Sequence, residues 1–252
     1  MKAKIKWLFF DVGNVIFNDD PVMIFVYENL FKKIHKIDSS FTFTDLLTER
    51  EQLIIGNSDG RHYWTLGKRH LGEKRWHDLW LQIIEELEHN YEKYSPSIPG
   101  IEYTLGELSG TYKLGIAANQ VSACRTALEN RGLIKYFSIV LLSAEIGLLK
   151  PDDRFFKMLI QKSKCQPDEM VMIGDRIDND ILPANKIGMK TIWVKLDLEK
   201  KGYIPDSEYS CLYLDSLKRV AISCIEPQRE VDKPDQTVTS LTDISGAVEG
   251  LG

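Results

Sequence analysis

Two hydrophobic patterns alternate over most of the chain. Short apolar runs occur at Ile5–Phe10, Lys113–Ala118, Phe137–Leu142, Met170–Ile173 and Thr191–Val194. Each is nearly continuous rather than alternating, which suits strands buried on both faces of a parallel sheet. Parallel neighbours need crossover connections, and Val121–Arg131 and Arg154–Lys164 supply them, with apolar residues at helical spacing. The core therefore reads as α/β.

The first gap is far longer than a crossover requires. Between Phe10 and Lys113 lie about a hundred residues with four helix-like stretches, Asp20–Lys36, Thr44–Ile55, Arg61–His70 and Glu73–Tyr94. The third carries Tyr63, Leu66 and His70 at helical spacing, and the fourth puts Trp76, Leu79, Trp80, Ile83, Ile84 and Leu87 on one face. Residues 18–97 thus read as an all-helical insertion, with residues 1–17 and 98–252 forming the core. Its exit, Ser95-Pro96-Ser97-Ile98-Pro99-Gly100, carries two prolines and a glycine before a helix over Ile101–Leu108. Beyond residue 197 the pattern weakens: Ser210–Leu214 is a candidate short strand, and Val238–Glu249 reads as a strand end followed by a helix.

Composition narrows the functional classes. The 252 residues carry 32 Lys and Arg against 37 Asp and Glu, a net charge of −5. That balance gives no electrostatic reason to expect nucleic-acid or membrane-surface binding. No apolar run approaches the ~20 residues of a spanning helix, and the charged N-terminal residues lead into a strand-like run rather than a signal peptide. The four cysteines, Cys124, Cys165, Cys211 and Cys224, lack CxxC spacing, which predicts reduced thiols in a cytoplasmic protein.

Open parallel sheets bind ligands beyond the carboxyl ends of their strands. The first run ends in Asp11-Val12-Gly13-Asn14-Val15, the second in Ala117-Ala118-Asn119, and the fourth in Gly174-Asp175-Arg176-Ile177-Asp178-Asn179-Asp180. After the third comes Gly147-Leu148-Leu149-Lys150-Pro151-Asp152, where Pro151 suits the first turn of a helix and leaves Lys150 at its entrance. Pro183 must likewise fall in a first helical turn, so that helix is expected to begin near Asn179 or Asp180. A carboxylate, an amide, an ammonium and a carboxylate pair would converge on one crevice.

This ordered set, with a helical insertion after the first motif, resembles the haloacid dehalogenase superfamily in its phosphatase-like subclass. The resemblance covers roughly residues 4–196 and implies a Rossmann-like core with a helical cap. It implies a Mg²⁺-dependent phosphatase acting on a small phosphorylated metabolite. Asp11 would be the nucleophile, forming an aspartyl-phosphate that splits one hard displacement into two easier ones. The implied metal ligands are Asp11, the Gly13 carbonyl and Asp175, a hard-oxygen set suited to Mg²⁺. Lys150 would hold phosphate and nucleophile together, Asn119 and position 118 would contact the phosphate, and Asp180 would orient Lys150 or a metal-bound water. Asp178 is expected to be a solvated loop acid.

Two positions depart from the family's pattern. Gly13 stands where a second aspartate usually protonates the leaving group, help typically worth ~10²–10⁴ in rate. Ala118 stands where a Ser or Thr hydroxyl usually meets the phosphate. These departures leave two alternatives open: a phosphate-binding protein with impaired turnover, and a dehalogenase-type hydrolase that attacks carbon. Asn14 and His62 are candidates to replace the missing acid, and Gly13 is a candidate for a positive φ. The segment Asn57–Trp64 either faces the crevice or begins a helix, with Asp59 as its cap and Tyr63 and Trp64 in the cap core.

Overall fold

The computed structural model describes residues 4–56 and 61–251. These form two compact units, one of Met1–Asn18, Pro96–Gly202 and Ile225–Gly252, the other of Asp19–Ser95 and Tyr203–Cys224.

The first unit is built on a six-stranded, wholly parallel sheet. Its strands are β1 (Trp7–Phe10), β2 (Lys113–Ala118), β3 (Phe137–Leu142), β4 (Met170–Gly174), β5 (Lys190–Val194) and β6 (Gln236–Val238), in the spatial order β3-β2-β1-β4-β5-β6. The four central strands coincide with the continuous apolar runs because both their faces are covered. Leu8, Phe9, Phe10, Ile116, Val171, Met172 and Ile173 are all fully buried. Trp7, Phe9, Ala117 and Met172 pack with Phe155, Phe156 and Leu159 of the helix Asp153–Ser163 in one cluster. β1 lies in the middle, flanked by β2 and β4. The chain order reverses there, and such a switch point is where a doubly wound sheet opens a crevice.

The second unit is helical: Asp20–His35, Phe43–Ile55, His62–His89, Tyr91–Tyr94 and Glu208–Arg219. The two sequence segments Arg61–His70 and Glu73–Tyr94 form one run to His89, interrupted at Gly72, whose φ of 76° takes the backbone out of helical geometry. Tyr63 and Trp64 join the aromatic core, with Tyr63 stacked on Trp80 at 5.2 Å and Trp64 edge-on to Trp76 at 5.6 Å. Asp59 lies outside the described residues.

One part of the expected division differs. Residues 203–224, assigned to the core from sequence, belong to the helical unit, and the candidate strand Ser210–Leu214 is a helix, Glu208–Arg219. Its Tyr209, Leu212, Tyr213 and Leu217 recur at helical spacing and pack into the helical unit's core. The buried Arg50 anchors this addition, donating to Ser216 Oγ and the Val220 carbonyl, both at 3.0 Å, with its guanidinium 5.2 Å from the centre of the Tyr213 ring. Among the described residues no helix is long and apolar enough to cross a membrane, and none of the four cysteines forms a disulfide.

Candidate active site

The carboxyl ends of the strands assemble the site. Asp11 follows β1 directly, and its backbone N–H still donates to the Ile173 carbonyl of β4 at 2.8 Å. Sheet pairing therefore places the residue. Its Oδ1 accepts from the Val12 N–H at 2.8 Å and lies 3.0 Å from Lys150 Nζ.

Lys150 lies in the turn after β3, and Asn119 fixes that turn. The Lys150 N–H donates to Asn119 Oδ1 at 2.7 Å while Asn119 Nδ2 donates to the Lys150 carbonyl at 2.9 Å. The side-chain amide thus pairs with both backbone groups of one residue, much as a neighbouring strand would. Asn119 is not presented simply as a phosphate donor, nor does its side chain cap the following helix, which begins at Ala123. Pro151 also differs from expectation. It stands before the cap residue Asp152 and outside the helix, and the Lys150–Pro151 peptide is cis.

The Lys150 side chain is 1% exposed and its Nζ lies 2.5 Å from Oδ1 of Asp180, a wholly buried carboxylate. The other Asp180 oxygen accepts from the Arg176 N–H at 3.1 Å. This region begins two residues earlier than expected, as a π-helical turn over Ile177–Ile181, and continues into Leu182–Lys186 with Pro183 in the first turn. Asp178 is solvent-exposed over about half of its side chain, as expected, and is also hydrogen-bonded to the Arg176 guanidinium, with Nε at 2.9 Å.

Asp180 packs directly over Gly174, where a Cβ would come within 2.4 Å of the carboxyl carbon. Gly174 is glycine because the buried Asp180 needs that space. Gly174→Ala should therefore displace Asp180 from Lys150 and destabilise the protein by about 1–3 kcal/mol, as overpacking in a tight core does. A denaturant titration measures it, and an unchanged midpoint would mean that Asp180 has room to move.

Asp175 begins the loop after β4. Its carbonyl accepts from Trp193 Nε1 at 2.9 Å and its Oδ2 from Asn14 Nδ2 at 3.1 Å. Asn14, with φ 53°, supplies the left-handed turn of the first loop. Gly13 is not among the left-handed residues described, so the backbone gives no reason there against a side chain. Asn14 Oδ1 in turn accepts from Lys201 Nζ at 2.9 Å. Ala118 ends β2, wholly buried, and its methyl offers no donor. His62, the other candidate acid, is buried in the helical unit beside Tyr27, with ring centres 6.5 Å apart.

Asp11, Asp175 and Asp180 each offer a carboxylate oxygen, and these atoms lie within 4.8 Å of one another. Burial, reinforced by the charges of Asp11 and Asp180, holds Asp175 well above the usual carboxylate range. Burial likewise pushes Asp180 up to about 6, against the pull of Lys150. Burial opposes the Lys150 charge too, but Asp11 and Asp180 overcome it and raise its pKa. Three crowded carboxylates, two of them paired with one ammonium, form an electron-rich, all-oxygen set. Such a set fits a hard divalent cation.

The strand-end residues are legible in the sequence, whereas the uses made of Asn14 and Lys201 are not. A non-glycine residue able to adopt a left-handed turn was the only signal for Asn14. Nothing in the local sequence pointed to Lys201, which is 187 residues away.

Residues 8–194 match the family described as haloacid dehalogenase-like hydrolase. A glyceraldehyde 3-phosphate phosphatase of Methanocaldococcus jannaschii is 25% identical over 230 residues, 86% of this chain and 95% of its own. The pyrimidine 5'-nucleotidase YjjG of Escherichia coli is 26% identical over 203 residues, 76% of this chain and 86% of its own. Among solved structures, the HAD-hydrolase YfnB of Bacillus subtilis bound to magnesium shares the fold with a TM-score of 0.64 at 17% identity, covering 98% of this chain and 100% of that one. With the parallel sheet, the strand-end residues and these relatives in agreement, the chain belongs to the haloacid dehalogenase-like hydrolase family, as a phosphoric monoester hydrolase.

Proposed function

We propose that the protein hydrolyses a small phosphorylated metabolite through an aspartyl-phosphate on Asp11, with Mg²⁺ held by Asp11, Asp175 and the Gly13 carbonyl. The observation that carries this reading is the buried Lys150 ammonium between Asp11 and Asp180, with Asp175 in the same carboxylate cluster. The small phosphorylated substrates named for the relatives, glyceraldehyde 3-phosphate and pyrimidine 5'-nucleotides, support the substrate class.

The roles follow from the contacts. Asp11 Oδ1 takes both hydrogen bonds made to this side chain among the described residues, which leaves Oδ2 as the oxygen to attack phosphorus. Lys150, pinned through its backbone by Asn119, offsets charge on the phosphate as the P–O bond to Asp11 forms. Asp180 keeps that ammonium in place. A divalent cation in the carboxylate cluster would offset the repulsion between the Asp11 carboxylate and a phosphate dianion. By the family resemblance, the helical unit would serve as the cap. Attack on carbon, the dehalogenase reading, gives no account of a carboxylate cluster suited to a cation.

Gly13 and Ala118 set the limits of the catalysis. The hydroxyl absent at Ala118 costs roughly 1.5–3 kcal/mol of phosphate binding, the worth of a hydrogen bond to a charged group. Without a carboxylic acid at Gly13, the leaving oxygen departs with little proton assistance, so the rate should depend steeply on that oxygen's stability as an anion. A panel of aryl, acyl and alkyl phosphates, assayed with Mg²⁺ and with chelator, tests both parts. The expected result is aryl and acyl turnover at least tenfold above alkyl, abolished by chelation. Activity that survives chelation contradicts the metal assignment, and equal rates across the panel contradict the missing acid.

A further inference from the structure

The metal reading above leaves open what holds the Asp175 carboxylate in place. We propose that Lys201 is a positioning residue for the metal site, acting through Asn14 to fix the orientation of Asp175.

The contacts form a two-step relay inside the first unit. Lys201 Nζ donates to Asn14 Oδ1 at 2.9 Å, and Asn14 Nδ2 donates to Asp175 Oδ2 at 3.1 Å. The chemistry of the ends dictates the sense of the middle. An ammonium can only donate, so the amide oxygen of Asn14 must face Lys201 and its NH₂ must face the Asp175 carboxyl group. The backbone of Asn14 is fixed as well, because its φ of 53° places the side chain at the one left-handed residue of the loop. Asn14 thus meets two demands at once: asparagine is among the few residues that adopt this conformation readily, and its amide bridges donor to acceptor.

Lys201 is itself held. It closes the short helix Leu198–Lys201, is 6% exposed, and its carbonyl accepts from Asn18 Nδ2 at 3.3 Å. The Asn18 N–H donates to the Pro96 carbonyl at 2.8 Å. The far end of the relay is therefore tied through Asn18 to Pro96. With Oδ2 of Asp175 engaged by Asn14, the other carboxylate oxygen is the one presented to a cation. Groups that orient metal-ligating side chains in this way typically matter 10–100-fold in metal affinity.

Dependence on Asn14 separates this role from simple electrostatics. The Lys201 charge repels Mg²⁺ but also favours the ionised form of Asp175, so charge alone fixes no sign, and its effect would persist without Asn14. Positioning predicts that the effect of Lys201 vanishes once the amide is gone. The test is calorimetric titration of Mg²⁺ into the metal-free full chain, without substrate, for wild type, Lys201→Met, Lys201→Arg, Asn14→Gly and the Lys201→Met/Asn14→Gly double variant. Glycine at position 14 keeps the left-handed turn while removing the amide.

Lys201→Met is expected to raise the Mg²⁺ dissociation constant about tenfold or more, with Lys201→Arg recovering part of the loss. In the Asn14→Gly background, Lys201→Met should add nothing, because the relay is already cut. Turnover of Lys201→Met should return towards wild type at saturating Mg²⁺. Unchanged or tighter binding by Lys201→Met, or a full additional loss in the double variant, overturns the proposal while leaving the metal site itself standing. Wild type that binds no Mg²⁺ overturns both. Circular dichroism of each variant identifies a folding defect, and the Asn14→Gly comparison then decides the relay from the amide side.

Discussion

Asp11→Asn should abolish phosphatase turnover, by about 10⁴-fold or more, while leaving the fold intact. The loss is large because a neutral amide oxygen is a far weaker nucleophile than a carboxylate, and no covalent intermediate can form without attack from this position. The fold should survive because the substitution preserves the local bonds: Asn keeps an Oδ1 that accepts from the Val12 N–H and Lys150 Nζ, and Lys150 retains its contact with Asp180. Thermal unfolding should therefore shift little, and steady-state assays on a preparation shown by mass spectrometry to be free of deamidation measure the catalytic loss. Near-normal hydrolysis by such a preparation contradicts the assignment of Asp11 as nucleophile.

Lys150→Ala should fail differently, losing both stability and activity. Its ammonium is almost wholly buried between two carboxylates, and breaking a buried pair from one side leaves an uncompensated charge, which costs about 3–5 kcal/mol. The lower end is expected here, because burial already raises the Asp180 pKa and the opposing pull of Lys150 is lost, so Asp180 can take up a proton instead. In a chain of this size that corresponds to a fall in melting temperature of roughly 10 °C. Activity should fall as well, through loss of charge neutralisation at the phosphate. Extra Mg²⁺ should restore part of the activity lost in Asp175→Asn but little of that lost in Lys150→Ala. If it restores both equally, the roles of the two residues have been interchanged.

The parts of this account legible in sequence are those where a single local rule decides the outcome. Continuous burial on both faces gives an unbroken apolar run, so β1, β2, β3, β4 and β5 could be located, and a parallel sheet puts its ligands at carboxyl ends, so Asp11, Lys150, Asp175 and Asp180 could be gathered. What stayed hidden depends on partners distant in the chain. Asn119 was expected to face the phosphate, yet the peptide group that it grips lies 31 residues away, at Lys150. The helix Glu208–Arg219 carried a readable apolar spacing, but its membership of the helical unit rests on Arg50, more than 150 residues earlier. Lys201 had no local signature at all, since a lysine ending a short helix is ordinary until its Nζ meets Asn14. The positive φ considered for Gly13 falls instead on Asn14, and the glycine that close packing demands in the site is Gly174, under Asp180.

The central claim is that Asp11 carries the phosphoryl group during turnover. Rapid mixing with an aryl phosphate and Mg²⁺, quenching in acid within one turnover, and mapping the digested protein by mass spectrometry tests it most directly. One phosphoryl group is expected on the peptide containing Asp11, present transiently in wild type and absent from Asp11→Asn. A phosphoryl group on any other residue, or released phosphate from Asp11→Asn at the wild-type rate, would contradict it.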